Sequence, residues 1–598
     1  MKFSVVVGLV ASLGPFAVPA VSQVPVSDLQ YQVTFNRATA AVRSFDVSVS
    51  FAVSRSGPVE LSLPAWTPGA YEISNFARHL SAFAASQGGQ ALDWDKVDFD
   101  TWRVVPAGSG RVTVSYRFEA DSLDNAMAWA RPDFAFANGT NLFLYPEGAD
   151  LATLPAAVTV TTEPDWTVAT AMTVTGPGHY RAGNYHDLVD MPFFIGRIDV
   201  DSARIDGAWH RVASYPAGVF GGDDRRLFWD QLGRTVPAMA RVFGETPWPD
   251  YTTLIVFDSA YGGGSALEHQ NSHLGIYNPG FIGTPILASI TAHEIFHAWN
   301  VKRLRPAEMV PYRYDRPQPT TLLWVSEGIT DYYSDLALVR GGVIDSTVFL
   351  GVTAGKIGEV ADAVPVALED ASLSTWIQPT DGTATLYYPK GSLAGLLIDI
   401  LIRDATGNKA SLDNVMRNLY GSVYRAGKGF TDADWWNEVA RVAGRDLRAE
   451  LWARYVDGRD PFPWPAVAPL AGLRFSVDSI AEPRMGLGSA EVGGKQVVTV
   501  VAPGSAAAAA GILPGDALIR IGDIDVDASF GTAYRFRYRR RVGERIPVIV
   551  SRDGLERTLQ LEVRTELRVE QRLDFDRRAS LKAARIRHGI LTGTTDPS

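Results

Sequence analysis

The chain has 598 residues, 56 lysines and arginines against 66 aspartates and glutamates for a net charge of −10, 46% apolar residues and no cysteine. At roughly 100 to 200 residues per domain, that length predicts about three or four domains, each with its own core. The missing thiol excludes disulfide frameworks, cysteine-held metals and thiol nucleophiles, the acidic balance excludes a general nucleic-acid binder, and the apolar, aromatic composition excludes a mostly disordered chain.

In chain order, Met1 and Lys2 precede an apolar stretch that contains Pro15 and Pro19 and ends in small residues at Ala20 and Ser22. This pattern predicts a secretory signal over residues 1–22, cleaved after Ser22, and an exported protein, periplasmic or secreted. Prolines in so short a run suit a cleaved segment better than an anchor, and no later stretch reaches about 18 uninterrupted apolar residues, so no membrane span is expected after cleavage.

Residues 23–201 alternate polar and apolar positions in short runs such as Tyr31-Gln32-Val33-Thr34-Phe35 and Arg111-Val112-Thr113-Val114. Period-two patterning with Gly and Pro punctuation predicts an all-β, sandwich-like domain of antiparallel strands. Over residues 202–465 longer helical stretches take over, at 286–303, 321–340 and 391–404, and predict a mainly helical domain. The run Asp460-Pro461-Phe462-Pro463-Trp464-Pro465 forbids a continuing helix and reads as a linker.

Beyond the linker, Pro503-Gly504-Ser505-Ala506, Ala510-Gly511-Ile512 and Pro514-Gly515-Asp516 resemble a bacterial PDZ domain, expected over residues 470–566. Met485-Gly486-Leu487-Gly488 stands where that family places its carboxylate-binding loop, which implies a C-terminal peptide as ligand. The arginines 535, 537, 539, 540, 541 and 545, interleaved with aromatics, mimic a nucleic-acid patch; in an acidic exported chain they read as a solvated helix or strand. Residues 567–598 are charged, show no clear core pattern, and are expected to be a tail.

Histidine is scarce: nine occur, and His269, His273, His293 and His297 crowd together. In His293-Glu294-Ile295-Phe296-His297, residues four apart on a helix share a face, so both imidazoles reach one ion with Glu294 beside it. A catalytic zinc takes three protein ligands. On the next predicted helix Glu327 and Asp331 lie one turn apart, which assigns Glu327 as third ligand and Asp331 as the carboxylate that accepts a ring N–H from a ligating histidine. Glu308 and Asp315, in the intervening proline-rich loop, are rival ligands. Glu294 is placed as general base for one zinc-activated water, and Tyr387 or Tyr388 as donor to the oxyanion; chemistry alone does not choose between the two phenols. His269 and His273 form a second metal site or, more simply, line the same cleft.

Residues 293–306 (HEIFHAWNVKRLRP), 323–333 (LWVSEGITDYY) and 387–397 (YYPKGSLAGLL) resemble the glycyl aminopeptidase family of zinc metallopeptidases, a branch of the thermolysin-like group. The resemblance extends over nearly the whole mature chain. It implies that His293, His297 and Glu327 bind one zinc, that Glu294 is the base, and that Tyr388, in a Tyr-x-Lys-Gly motif, is the oxyanion donor. The segment 262–269 (GGGSALEH) is similar to the exopeptidase motif of related aminopeptidases. By that likeness Glu268 binds the substrate's free α-amine, with His269 beside it where the relatives carry Asn. Trp66-Thr67-Pro68-Gly69-Ala70-Tyr71 resembles a family segment with Ser in place of Ala70; it reaches the cleft or is an ordinary turn. The implied activity is removal of N-terminal residues, Gly or Ala preferred, from peptides with a free N-terminus. The alternatives are an exported zinc endopeptidase whose PDZ domain captures substrate C-termini, and a non-catalytic PDZ adaptor.

Overall fold

A computed structural model describes residues 24–527 and 529–595; the expected signal segment lies outside the described residues. The chain divides into two compact units, one holding residues up to Phe349, Val360–Pro463 and the residues from Ala579 on, the other Leu350–Glu359 and Trp464–Arg578.

The first unit begins with the expected β domain. Its eight-stranded sheet is built around Val26–Thr34, Ser44–Val53 and Gly110–Glu119. In the middle strand Val47, Val49 and Phe51 are buried while Asp46, Ser48 and Ser50 are not, so strand alternation sends one face to the core. One pairing departs from the antiparallel expectation: Val26–Thr34 runs parallel to Ala156–Thr161, because the chain returns from the far side of the domain. Two four-stranded sheets complete the sandwich.

The β domain has no linker after it. Phe134, Phe136 and Phe194 share one apolar cluster with Ala213, Leu254, Val256, Leu274 and Ile276 of the next region. The boundary expected at residue 201 falls inside the strand Asp199–Ile205, the first of a five-stranded sheet with Ala208–Tyr215, Asp250–Phe257, Ser272–Tyr277 and the edge strand Gly264–Glu268. These strands are missing from the expected helical texture because they are buried on both faces; seven of the eight residues of Asp250–Phe257 are buried, which erases the period of two. The helices follow as Pro285–His297, Ile329–Arg340, Tyr387–Thr406, Leu412–Ser422 and Asp432–Ala443.

Residues 567–598 are not a tail. The strand Arg564–Phe575 carries Leu567, Val569, Leu573 and Phe575 at alternate positions, a strand signal masked by the charges between them, and it pairs along its length with Leu473–Arg484. The helix Leu581–Thr592 buries Ala583, Ile586, Gly589 and Ile590. It belongs to the first unit, where Arg340 Nε donates to the Ile590 carbonyl (3.1 Å) and Arg403 to that of Thr594 (3.0 Å).

In the second unit a six-stranded sheet, with Leu487–Val492 at one edge, closes over Val498, Leu518, Ile521, Val548, Val550 and Leu561. The helix Phe530–Tyr538 turns Tyr534 and Tyr538 into this core and leaves Arg535 and Arg537 outside. That matches the solvated helix expected for the arginine run. Met485 is buried in the same core, and the carbonyls of Met485 and Gly486 accept hydrogen bonds from Ala507 and Ala502. Among the described residues no helix is long and apolar enough to cross a membrane.

Candidate metal centre and active site

The helix Pro285–His297 opens on Pro285, whose fixed φ suits a first turn, and carries His293 and His297 on one face. Their Nε2 atoms are 2.9 Å apart. Glu327 enters from a single π-helical turn, Trp324–Gly328, that leads into Ile329–Arg340. Its Oε2 lies 3.0 Å from His297 Nε2 and 3.5 Å from His293 Nε2. Ligand atoms of these three residues all lie within 4.8 Å of one another, and no other group of three or more such donors exists among the described residues, so the pair His269 and His273 makes no second centre. Glu308 and Asp315 are engaged elsewhere, by Thr320 (3.2 Å) and Arg316 (2.5 Å).

Small residues let the elements converge. A Cβ on Gly328 would stand 2.5 Å from Gly391 Cα, and one on Gly391 would stand 2.8 Å from the Trp324 carbonyl. Only glycine at both positions allows the turn bearing Glu327 and the helix Tyr387–Thr406 to cross in backbone contact. The crossing brings Tyr388 to the centre, its ring 5.9 Å from that of His293. Tyr387 is buried and bonds Thr375 (3.3 Å), whereas Tyr388 is half-buried.

The His297 Nδ1 stands 2.7 Å from the Asn300 carbonyl, so Nδ1–H donates there and Nε2 is left facing Glu327 and His293. The Asn300 side chain in turn donates to the carbonyls of Val325 and Ser326 and to Thr330 Oγ1 (2.9 to 3.1 Å), tying the histidine helix to the turn that holds Glu327. The expected acceptor, Asp331, therefore does not serve His297. Burial and His297 lower the pKa of His293, and Glu327 and Asp331 pull it the other way.

Three carboxylates crowd these imidazoles. Burial pushes Glu268 up to about 7 against the pull of His297 and Lys302, and holds Glu294 well above the usual carboxylate range. Burial disfavours charge on His297 as well, but Glu327, Glu268 and Glu294 outweigh it and raise its pKa to about 10. Oε1 of Glu268 and Oε2 of Glu294 are buried without a hydrogen-bond partner. A divalent cation fits such a cluster, with two imidazole nitrogens and one carboxylate oxygen as donors and two further carboxylates near them.

Glu268 ends the edge strand Gly264–Glu268 and is buried. His269, expected beside it at the substrate, is fully buried and turned away: its Nδ1 is 3.2 Å from Asp190, which also pairs with Lys302 Nζ (2.7 Å) and accepts from Gln270 N–H (2.8 Å). The physical reason is that successive extended residues point to opposite sides, so only one of the pair faces the cleft. The segment 66–71 does reach the centre, with the Tyr71 hydroxyl 2.7 Å from Glu327 Oε1. Sequence reasoning missed Asn300, Asp190 and Lys302. Asn300, Lys302 and Arg303, polar residues just past an apolar helix, are the signal the sequence offers, and the structure buries all three.

Residues 30–197 match the family model described as the Peptidase M61 N-terminal domain, and residues 287–394 match that described as M61 glycyl aminopeptidase. The chain thus carries a peptidase domain behind the matching β domain. No curated protein matches it. Among solved structures, an aminopeptidase N family protein from Idiomarina loihiensis shares the fold with a TM-score of 0.79 at 24% identity, covering 94% of this chain and all of the other. The M1 zinc metallopeptidase of Deinococcus radiodurans (TM-score 0.48, 15% identity, 75% of this chain and 98% of the other) and yeast LTA4 hydrolase with bestatin (0.48, 13%, 75% and 70%) are more distant.

Proposed function

We propose that the chain is an exported zinc aminopeptidase that removes N-terminal residues, Gly and Ala preferred, from peptides. The observation that carries this reading is the one cluster among the described residues in which His293, His297 and Glu327 converge, with Glu294, Glu268 and Tyr388 near it. His293, His297 and Glu327 would hold one zinc, which would supply Lewis acidity toward water and the scissile carbonyl. Glu294, one of whose oxygens is buried without a hydrogen-bond partner, takes the water proton and passes it to the departing amine. The Tyr388 phenol donates to the carbonyl oxygen as it gains charge. Glu268 accepts charge-assisted hydrogen bonds from the substrate's α-ammonium, which fixes the scissile bond after the first residue. Asp331 orients His293.

Residues 470–566 are proposed as a PDZ domain; the edge strand Leu487–Val492 and the glycine turn before it, with φ of +71° at Gly486, suit strand addition by a peptide terminus at the loop 485–488. An endopeptidase would use the same centre and depend on that capture. Glu268→Gln separates the two readings. The aminopeptidase reading expects kcat/KM on free-amine dipeptide substrates to fall about 100-fold or more with zinc content unchanged. Unchanged turnover of those substrates would contradict it.

A further inference from the structure

One contact at the centre comes from outside the helical region. Tyr71, on the β-domain turn after Pro68 and Gly69, is buried and donates from its hydroxyl to Glu327 Oε1 at 2.7 Å, while Oε2 of the same carboxylate faces both imidazoles. The turn is fixed at several points. Ala65 N–H donates to the Tyr314 carbonyl (2.8 Å), Trp66 Nε1 to that of Arg313 (2.8 Å), and Thr67 Oγ1 shares a hydrogen bond with Thr140 (2.6 Å). The Tyr71 ring packs edge-on against Trp376 at 6.0 Å. At Gly69, with φ of +111°, a Cβ would stand 2.5 and 2.7 Å from the two Glu268 oxygens. One turn therefore abuts the carboxylate proposed for the α-amine and bonds the one proposed for the metal.

The backbone pays for this placement. Tyr71 has φ of +50°, a left-handed conformation that costs a non-glycine residue on the order of 1 kcal/mol and persists only where surrounding contacts impose it.

We propose that Tyr71 is a positioning residue for the metal centre: its hydroxyl occupies Oε1 of Glu327, so that the carboxylate presents Oε2 alone toward His293 and His297. The β domain is then part of the metal centre, and its apolar continuity with the five-stranded sheet through Phe134, Phe136 and Phe194 keeps the hydroxyl in register. This rests on the zinc reading above. Outer hydrogen bonds of this kind typically contribute 10- to 100-fold to metal affinity.

The test measures zinc dissociation constants by competition with a chelating dye for the wild type, Glu327→Gln and Tyr71→Phe, together with the apo-protein Tm. The expected result is a 10- to 100-fold loss of zinc affinity in Tyr71→Phe, an equal or larger loss in Glu327→Gln, and an apo Tm for Tyr71→Phe within about 2–4 °C of wild type. If Glu327→Gln loses affinity while Tyr71→Phe stays within twofold of wild type, the Tyr71 proposal is overturned and the metal reading stands. If Tyr71→Phe collapses the apo Tm by more than about 10 °C, its role is structural and the proposal also falls. A wild type that binds no zinc, or a Glu327→Gln that binds it equally well, removes the metal reading and this inference with it.

Discussion

At the start of the helix Ile329–Arg340, Glu327 joins Glu268 and Glu294 around two imidazoles, and two carboxylate oxygens of the group have no hydrogen-bond donor. Toward the other end of the same helix, Asp399 and Asp413 meet Arg403 and Arg340, equal in number and opposite in charge. There every carboxylate oxygen has a donor: Tyr332 (3.0 Å), Arg403 (3.0 Å) and Leu412 N–H (2.9 Å) on Asp399, Tyr333 (2.8 Å) and Arg340 (3.0 Å) on Asp413. Burial raises the Asp413 pKa, but Arg340 and Arg403 outweigh it and keep the group ionised. Both clusters are buried, yet only the second gives every carboxylate oxygen a donor. Buried carboxylates that are paired and bonded hold a fold together; buried carboxylate oxygens left without a donor beside two imidazoles suit a cation and a substrate.

Substitution tests that contrast most strongly in the first cluster. Glu294→Gln, which keeps shape and removes the base, is expected to lower kcat by about 10²- to 10⁴-fold in steady-state assays, with zinc content retained and Tm unchanged or higher. A kcat within tenfold of wild type would mean that the free oxygen on Glu294 has no chemical task. In the second cluster Asp413→Ala leaves Arg340 buried without its partner and is expected to cost about 3–5 kcal/mol in denaturant unfolding, while kcat/KM of the folded protein stays within about twofold. Loss of activity without loss of stability there would erase the distinction between the two ends of the helix.

A smaller effect sharpens the comparison at Asp190, a paired group close to the site. Burial raises its pKa, but Lys302 and His269 outweigh burial and hold it at about 2, below the usual value of 3.8. A depressed folded-state pKa gives stability that is present above the unfolded value and lost as pH falls through about 2. Asp190→Asn should therefore be less stable than wild type by roughly 2 kcal/mol near neutral pH. Unfolding curves taken against pH should show that gap narrowing below about pH 4, and a gap independent of pH would remove the ion pair from the account.

How much of this was legible in the sequence follows from the range of each interaction. His293, Glu294 and His297 are fixed by helical spacing within five residues, and Glu327 by its place one helix on. The motif around Tyr388 pointed to that residue, whose ring lies 5.9 Å from that of His293. Asn300 acts through its backbone carbonyl on His297 and its side chain on the next turn; polarity just past an apolar helix marks the residue but not these partners. Tyr71 lies 256 positions from Glu327, so its contact exists only once the β domain and the helical region share a core. The strands Asp250–Phe257 and Ser272–Tyr277 lost their period to burial on both faces, and Arg564–Phe575 hid its period behind charges.

The central claim is that one metal, held by His293, His297 and Glu327, cleaves only beside a free amine. It is tested most directly by assaying glycyl and alanyl p-nitroanilides against their N-acetylated forms on the purified protein, before chelation, after it, and after zinc is restored. The account predicts hydrolysis of the free-amine substrates alone, lost with the metal and regained with one zinc per chain. Hydrolysis that survives chelation, or equal hydrolysis of the acetylated substrates, would contradict it.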